Sequence, residues 1–243
     1  MENKTDRIAI LVDGDNARAK LLKPILEEVS KYGKVTIRRI YGDWTLPQMN
    51  SWKETLNDLS FNPIQKFSYT TGKNSTDSSL IIDAMDILHD KIVDGFCIVS
   101  SDSDYTGLAK RIREEGIFVM GIGEMRTPNA FVQSCEIFTY CENIVPPEIA
   151  GIPVKKAKKE KPGKHILPPG EGKLLNKAYE MSVSEGPETH ISQVGINLRK
   201  INPSFDPRAY GFKNLTQLFE NLPEYQVIKN EVGGLNHPLV KKK

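Results

Sequence analysis

Apolar positions in the first 145 residues follow two alternating periods. Short, nearly continuous apolar runs at 7–13, 34–41, 63–69, 95–100 and 117–122 have the length of buried strands. Between them, 18–31, 48–59, 75–91 and 105–115 carry apolar residues three and four apart, as Leu21, Leu22, Ile25, Leu26 and Val29 illustrate. Gly116 reads as the stop of the last of these helices, and 136–140 reads as an added strand. Such regular alternation predicts an α/β fold, a mostly parallel sheet with helices on both faces.

After residue 166 the pattern changes. Helical spacing at 171–185, 191–201 and 214–221 precedes a strand at 225–231, with Gly233-Gly234 as its turn and room for a second strand beyond. Short helices followed by a hairpin predict a small winged helix-turn-helix. Between the two patterns lies a lysine-rich stretch with no large apolar residue after Val154. The expected division is a domain at 1–147, a basic flexible linker at 148–165 and a second domain at 166–243.

Composition narrows the class. With 39% hydrophobic and 26% charged residues, the chain is neither disordered throughout nor fibrous. No apolar run approaches the roughly 20 residues that span a bilayer, and Met1–Asp6 is polar, unlike a secretory signal. A cytoplasmic protein without a membrane partner is expected. Cys97, Cys135 and Cys141 lack the spacing of a zinc site, and His89, His165, His190 and His237 are isolated, which argues for reduced thiols and against a transition-metal cluster. The net charge of +2 hides a split. Residues 1–150 hold 17 Lys+Arg against 22 Asp+Glu, whereas 151–243 hold 16 against 9. The basic tail and linker are suited to a polyanion.

Two strands end on acids. The run Ile8–Val12 stops at Asp13-Gly14-Asp15-Asn16, and Phe96–Val99 stops at Ser100-Ser101-Asp102-Ser103-Asp104. In a parallel sheet, carboxyl ends of strands form the ligand crevice, so neighbouring strands would bring Asp13, Asp102 and Asp104 into one pocket. Asp77 opens the apolar stripe of Leu80, Ile81, Ala84 and Leu88 on a helix, whereas Asp83 and Asp86 fall on another face and read as solvated surface, with Asp83 a lesser candidate for supporting the site. Close carboxylates without Cys or His partners favour a hard cation, Mg2+ or Mn2+, able to activate water for attack on a phosphodiester. Asn16, and Ser101 likewise, would orient a bound water or a phosphate. Gly121-Ile122-Gly123 lacks the third glycine of a dinucleotide loop and reads as a turn.

At these residues the chain resembles the NYN domain, a branch of the PIN-like metal-dependent ribonucleases, over about residues 5–145. The matching pieces are Val12–Asn16, Gly72-Lys73 followed by Asp77, and Ser100–Tyr105 leading to Arg111–Gly116. The resemblance implies a PIN-like Rossmannoid sheet, an acidic metal site of Asp13, Asp77, Asp102 and Asp104 with Asn16 beside it, and an endoribonuclease. Ser101 stands where a Gly often precedes the first Asp of that motif. Over roughly 166–236 the tail is similar to the OST-HTH or LOTUS domain, through Phe205–Leu215, Leu218-Phe219 and Pro223. That similarity implies binding of RNA, single-stranded or structured, or of a protein partner. Tyr210 and Phe212 read as core anchors, while Lys73, Lys173, Arg199, Lys200, Arg208 and Lys213 are the candidate nucleic-acid contacts. Two other readings remain open at this point: a noncatalytic RNA-binding scaffold, and a haloacid-dehalogenase-like phosphatase using Asp13 of Asp13-x-Asp15 as nucleophile.

Overall fold

The computed structural model describes residues 6–67, 75–145, 167–184, 186–232 and 235–243, and the chain divides into two compact units, Met1–Pro153 and Val154–Lys243. The expected linker and the Gly233-Gly234 turn lie outside the described residues.

In the first unit, β1 (Arg7–Asp13), β2 (Lys34–Gly42), β3 (Asn62–Gln65), β4 (Gly95–Val99), β5 (Phe118–Gly123) and β6 (Ile137–Tyr140) form a six-stranded sheet in the order β3-β2-β1-β4-β5-β6. Every pairing is parallel. The helices are α1 (Leu22–Val29), α2 (Lys53–Leu59), α3 (Ser75–Asp90), α4 (Thr106–Glu114) and α5 (Asn129–Ser134).

Strand alternation explains the layering. On β1, Ile8, Ile10 and Val12 join one core with α1, α2 and Trp52, whereas Ala9 and Leu11 join a second core with Leu80 and Ala84 of α3, Ile112 of α4 and Phe131 of α5. A strand buried on both faces must be apolar at every step, which is why β1 and β4 read as continuous runs. Gly116 ends α4 with a φ of +73°, in the conformation glycine adopts without strain.

The predicted helices at 18–31, 48–59 and 105–115 each begin later than expected, because Ala19–Leu21, Pro47–Trp52 and Ser103–Tyr105 fold as 3-10 turns. Helix α5 was not expected from the pattern. It is only six residues long, with Phe131 and Val132 supplying its buried face.

In the second unit, α6 (Pro169–Glu180), α7 (Ile191–Ile201) and α8 (Leu215–Glu220) pack with a three-stranded antiparallel sheet of β7 (Glu188–His190), β11 (Leu239–Lys242) and β8 (Tyr225–Ile228). The short strands β9 (Glu231–Val232) and β10 (Leu235–Asn236) pair antiparallel. This is the expected winged-helix arrangement, with β7 as an addition. Phe212 is buried and Tyr210 packs at the edge of the same core, with Phe205 against its ring, so both are anchors. Among the described residues no helix is long and apolar enough to cross a membrane. Cys97, Cys135 and Cys141 are buried free thiols.

Candidate active site

The sheet order reverses between β1 and β4, so the crevice expected of an open α/β sheet falls at their carboxyl ends. Asp13 is the last residue of β1 and is fully buried. Its Oδ1 accepts the Asp15 N–H at 3.1 Å, and its Oδ2 accepts the Asn16 amide at 2.7 Å and the Ser100 hydroxyl at 2.9 Å. Ser100 comes from the end of β4 and its Oγ also accepts the Asp102 N–H at 3.1 Å. The two acidic strand ends are therefore joined through one hydroxyl.

Asp102 caps the turn that follows, its Oδ1 accepting the Asp104 N–H at 3.0 Å. Asp77 projects from the first turn of α3, where its Oδ1 accepts the Tyr105 phenol at 2.7 Å. The Tyr105 ring is buried, and its hydroxyl also neighbours Asp13. Asp15, not assigned a role from sequence, accepts the Thr76 hydroxyl at 2.7 Å, tying the loop after β1 to the start of α3. Burial orders these acids: Asp13 is enclosed, Asp77 and Asp102 are partly exposed, and Asp15 and Asp104 are open to solvent.

Their fields overlap. Burial pushes the Asp13 carboxyl above its ordinary value, the Asn16 and Ser100 hydrogen bonds oppose the shift, and the charges of Asp77 and Asp15 add to it. Asp77 is raised likewise by burial, against the Tyr105 hydrogen bond, and further by Asp102, Asp104 and Asp15. Among the described residues, no three His, Cys, Asp or Glu side chains stand close enough together to hold a metal ion as placed. The acids share a field more than a coordination sphere. The donor chemistry nonetheless suits a hard cation, since every group is a carboxylate, hydroxyl or amide.

Several assignments change in detail. Asn16 spends its amide on Asp13, so it orients that carboxylate. Ser101 faces away from the role of water or phosphate positioning: its Oγ accepts the Glu124 N–H at 2.9 Å and fixes the turn after β5. Asp83 is not solvated surface. It accepts the Arg39 guanidinium and the Tyr41 phenol from β2; burial first, and then the Asp83 hydrogen bond and charge, push the Tyr41 hydroxyl upward in pKa, with Arg39 opposing. Tyr41 is the register partner of Asp13, so Asp83 braces the strand next to the site. Asp86 is exposed, as expected.

The basic candidates are spread over the second unit. Lys173 lies on the first turns of α6, beside Lys242 and Lys243, two cations that sequence reading passed over, around a cavity of about 860 Å³. Arg199 and Lys200 occupy the last turn of α7. Arg208 is engaged by Asp206 at 2.7 Å. Lys213 precedes α8 with its backbone N–H donated to Gln217. Lys73 lies outside the described residues.

A parallel sheet in this order, with acids gathered at its switch point, defines a PIN-like α/β protein. The chain belongs to the NYN domain family, which matches residues 7–143, more than half its length. The OST-HTH/LOTUS domain matches residues 172–237. No curated protein matches the chain. Among solved structures, it is similar to a protein of unknown function from Vibrio parahaemolyticus at 20% identity, covering 58% of this chain and 95% of that one, with a TM-score of 0.49.

Proposed function

We propose that the first unit is an endoribonuclease that uses Mg2+ or Mn2+ at Asp13, Asp77, Asp102 and Asp104, and that the second unit holds the RNA. The observation carrying this reading is the convergence of carboxylates from β1, α3 and the end of β4 on one crevice, where, after burial, the charges of Asp77 and Asp15 raise the Asp13 pKa and those of Asp102, Asp104 and Asp15 raise that of Asp77. Such a cluster costs stability unless a cation neutralises it. A bound divalent cation supplies an acidified water and counter-charge for the departing oxygen. The chain's own groups then divide the work. Asn16 and Ser100 hold the Asp13 carboxylate in one orientation, Tyr105 does so for Asp77, and Asp102 and Asp104 face the solvent side, where a phosphodiester can approach.

Substrate affinity comes from elsewhere, because a net-negative domain repels a polyanion. Tethering an OST-HTH domain through the lysine-rich stretch at 155–164 raises the effective concentration of RNA at the crevice. A noncatalytic RNA-binding scaffold is the second reading, favoured by the acids not closing around an ion as placed. Labelled single-stranded and structured RNA incubated with Mn2+ separates the two. Cleavage abolished by Asp102→Asn is the expected result; binding without cleavage by either protein supports the scaffold. Hydrolysis of phosphomonoesters alone would point to phosphatase chemistry.

A further inference from the structure

A groove of about 770 Å³ opens beside the acidic crevice, between the segment after β1 and the segment after β2. Asp15, Arg18 and Lys20 line one side, and Leu46, Gln48 and Thr55 line the other. We propose that this groove holds a single-stranded stretch of RNA immediately next to the phosphate at the acids; the inference rests on the nuclease reading and specifies where its substrate strand runs.

Continuity with the site is the first argument. Asp15 lines the groove and is two residues from Asp13, to whose Oδ1 its N–H is bonded. Met49, in the turn forming the opposite wall, lays its methyl where Gly14 and Gly42 have no side chain: a Cβ would meet it at 3.0 Å and 2.6 Å. The groove wall is thus seated on the ends of β1 and β2.

The second argument is preorganisation. The Asp43 Oδ1 accepts the Thr45 N–H at 3.1 Å, the Thr45 hydroxyl at 2.6 Å and the Gln65 amide at 2.9 Å, and the Trp44 indole donates to the Ile64 carbonyl at 3.0 Å. These bonds hold the segment that presents Leu46 in a fixed place, so binding a strand costs little ordering on the protein side of the groove.

Chemistry selects the occupant. Arg18 is bonded to Glu124 at 3.0 Å, and Glu124 also holds Arg126 at 2.7 Å, which leaves Lys20 as an exposed groove cation without a partner among the described residues. Lys20 is suited to a phosphate. Leu46, 37% exposed, offers an apolar surface for a base face, and Gln48 and Thr55 offer polar groups for base edges or a 2′-hydroxyl. A mixed apolar and hydrogen-bonding lining with one free cation fits a nucleotide strand better than an acidic or purely apolar peptide.

The test uses the full chain and an oligoribonucleotide carrying one photoreactive 4-thiouridine. Crosslinks are mapped by mass spectrometry, and cleavage with Mn2+ is followed in parallel. Crosslinks to residues 44–55 are expected, falling about tenfold in Lys20→Glu while those to the second unit persist. Lys20→Ala should lower kcat/KM and reduce by about 1 the slope of log kcat/KM against log salt, as loss of one phosphate contact does. Unchanged tryptophan fluorescence shows that these surface variants are folded. If the wild type cleaves RNA but Lys20 variants keep its salt slope and crosslinks avoid the groove, the strand path is wrong and the nuclease reading stands. If the wild type cleaves nothing, the nuclease reading fails, and the crosslink map alone decides whether RNA occupies the groove. Equal crosslinking of duplex and single strand would overturn the single-strand assignment.

Discussion

Replacing Gly14 by Ala should damage both the fold of the first unit and its acidic crevice. A Cβ at Gly14 would lie 2.7 Å from the Tyr41 carbonyl oxygen, well inside ordinary contact at 3.4 Å or more. That same oxygen accepts the Gly14 N–H at 2.8 Å, so relief requires drawing the end of β1 away from β2. Overpacking a filled site costs about 1–3 kcal/mol and the weakened hydrogen bond about 0.5–1.5, giving a loss of about 2–4 kcal/mol. For a unit of this size, each kcal/mol shifts Tm by about 2–4 °C, so a fall of about 5–15 °C is expected. Both tryptophans of the sequence, Trp44 and Trp52, lie in the first unit, so their fluorescence reports its melting. Gly42→Ala is the control, because its Cβ would meet the flexible Met49 methyl at 2.6 Å and its next nearest atoms, at 3.8 and 3.9 Å, are also side-chain atoms. Its cost should stay below about 1 kcal/mol. Since Asp13 adjoins Gly14, and displacement by about 1 Å can cost about a hundredfold in rate, cleavage should fall in Gly14→Ala beyond what unfolding explains. A Gly14→Ala protein melting within about 2 °C of wild type, or less harmed than Gly42→Ala, would refute the steric account.

Other outcomes follow from the same geometry. Without cations, Asp77→Asn should be more stable than wild type: the folded carboxyl titrates above its unfolded value, so wild-type stability is lost as pH rises from about 4 through the folded pKa. Denaturant midpoints in chelator should show that difference growing with pH and then levelling; a difference independent of pH would contradict it. Tyr105→Phe keeps the buried ring but removes the donor to Asp77, and should cost about 1.5–3 kcal/mol in a tryptophan melt, with kcat lowered more than KM is raised. In the second unit, Asn197 is buried with its amide donated to the Ser182 Oγ at 2.9 Å and the Met181 carbonyl at 3.3 Å. Asn197→Ala should cost about 2 kcal/mol, read as faster hydrogen exchange across residues 191–201.

What was legible in the sequence depended on whether the signal was local. Strands β1 and β4 declared themselves because burial on both faces demands apolar residues throughout, and the acids ending them stood out against that run. Asp77 was placed correctly because the helical wheel puts it on the stripe of Leu80 and Ala84, both buried in the core. Asp83 was misread for a complementary reason. The wheel separates it from Asp77, but its partners Arg39 and Tyr41 belong to β2, and no periodicity within α3 encodes a neighbouring strand. Asn16 and Ser101 were recognised as polar residues at the right loops, yet the direction of each side chain was decided by the Asp13 carboxylate and the Glu124 N–H. Strand β7 has one buried residue of three and leaves almost no pattern to read.

The arrangement of hydrogen bonds around the acids bears on how such a site persists. Asp13 alone, enclosed and ionised, would be costly to fold, and its three donors only partly offset burial. Those donors come from the loop after β1 and the end of β4, so the carboxylate that destabilises the crevice also joins its two halves. Tyr105 extends the connection to Asp77, and Thr76 connects Asp15 to the same helix start. Asp13, Asp15, Asp77 and Asp102 are thus each held by a neutral donor and, among the described residues, by no cationic side chain, whereas Asp83 and Asp94, outside the crevice, are held by Arg39 and Arg7. Arginines placed in the crevice would have relieved the repulsion permanently. At Asp13, Asp15, Asp77 and Asp102 the described side chains leave it unrelieved, which keeps the negative field available to a cation, the property a metal-assisted hydrolase requires and a purely structural acid cluster does not.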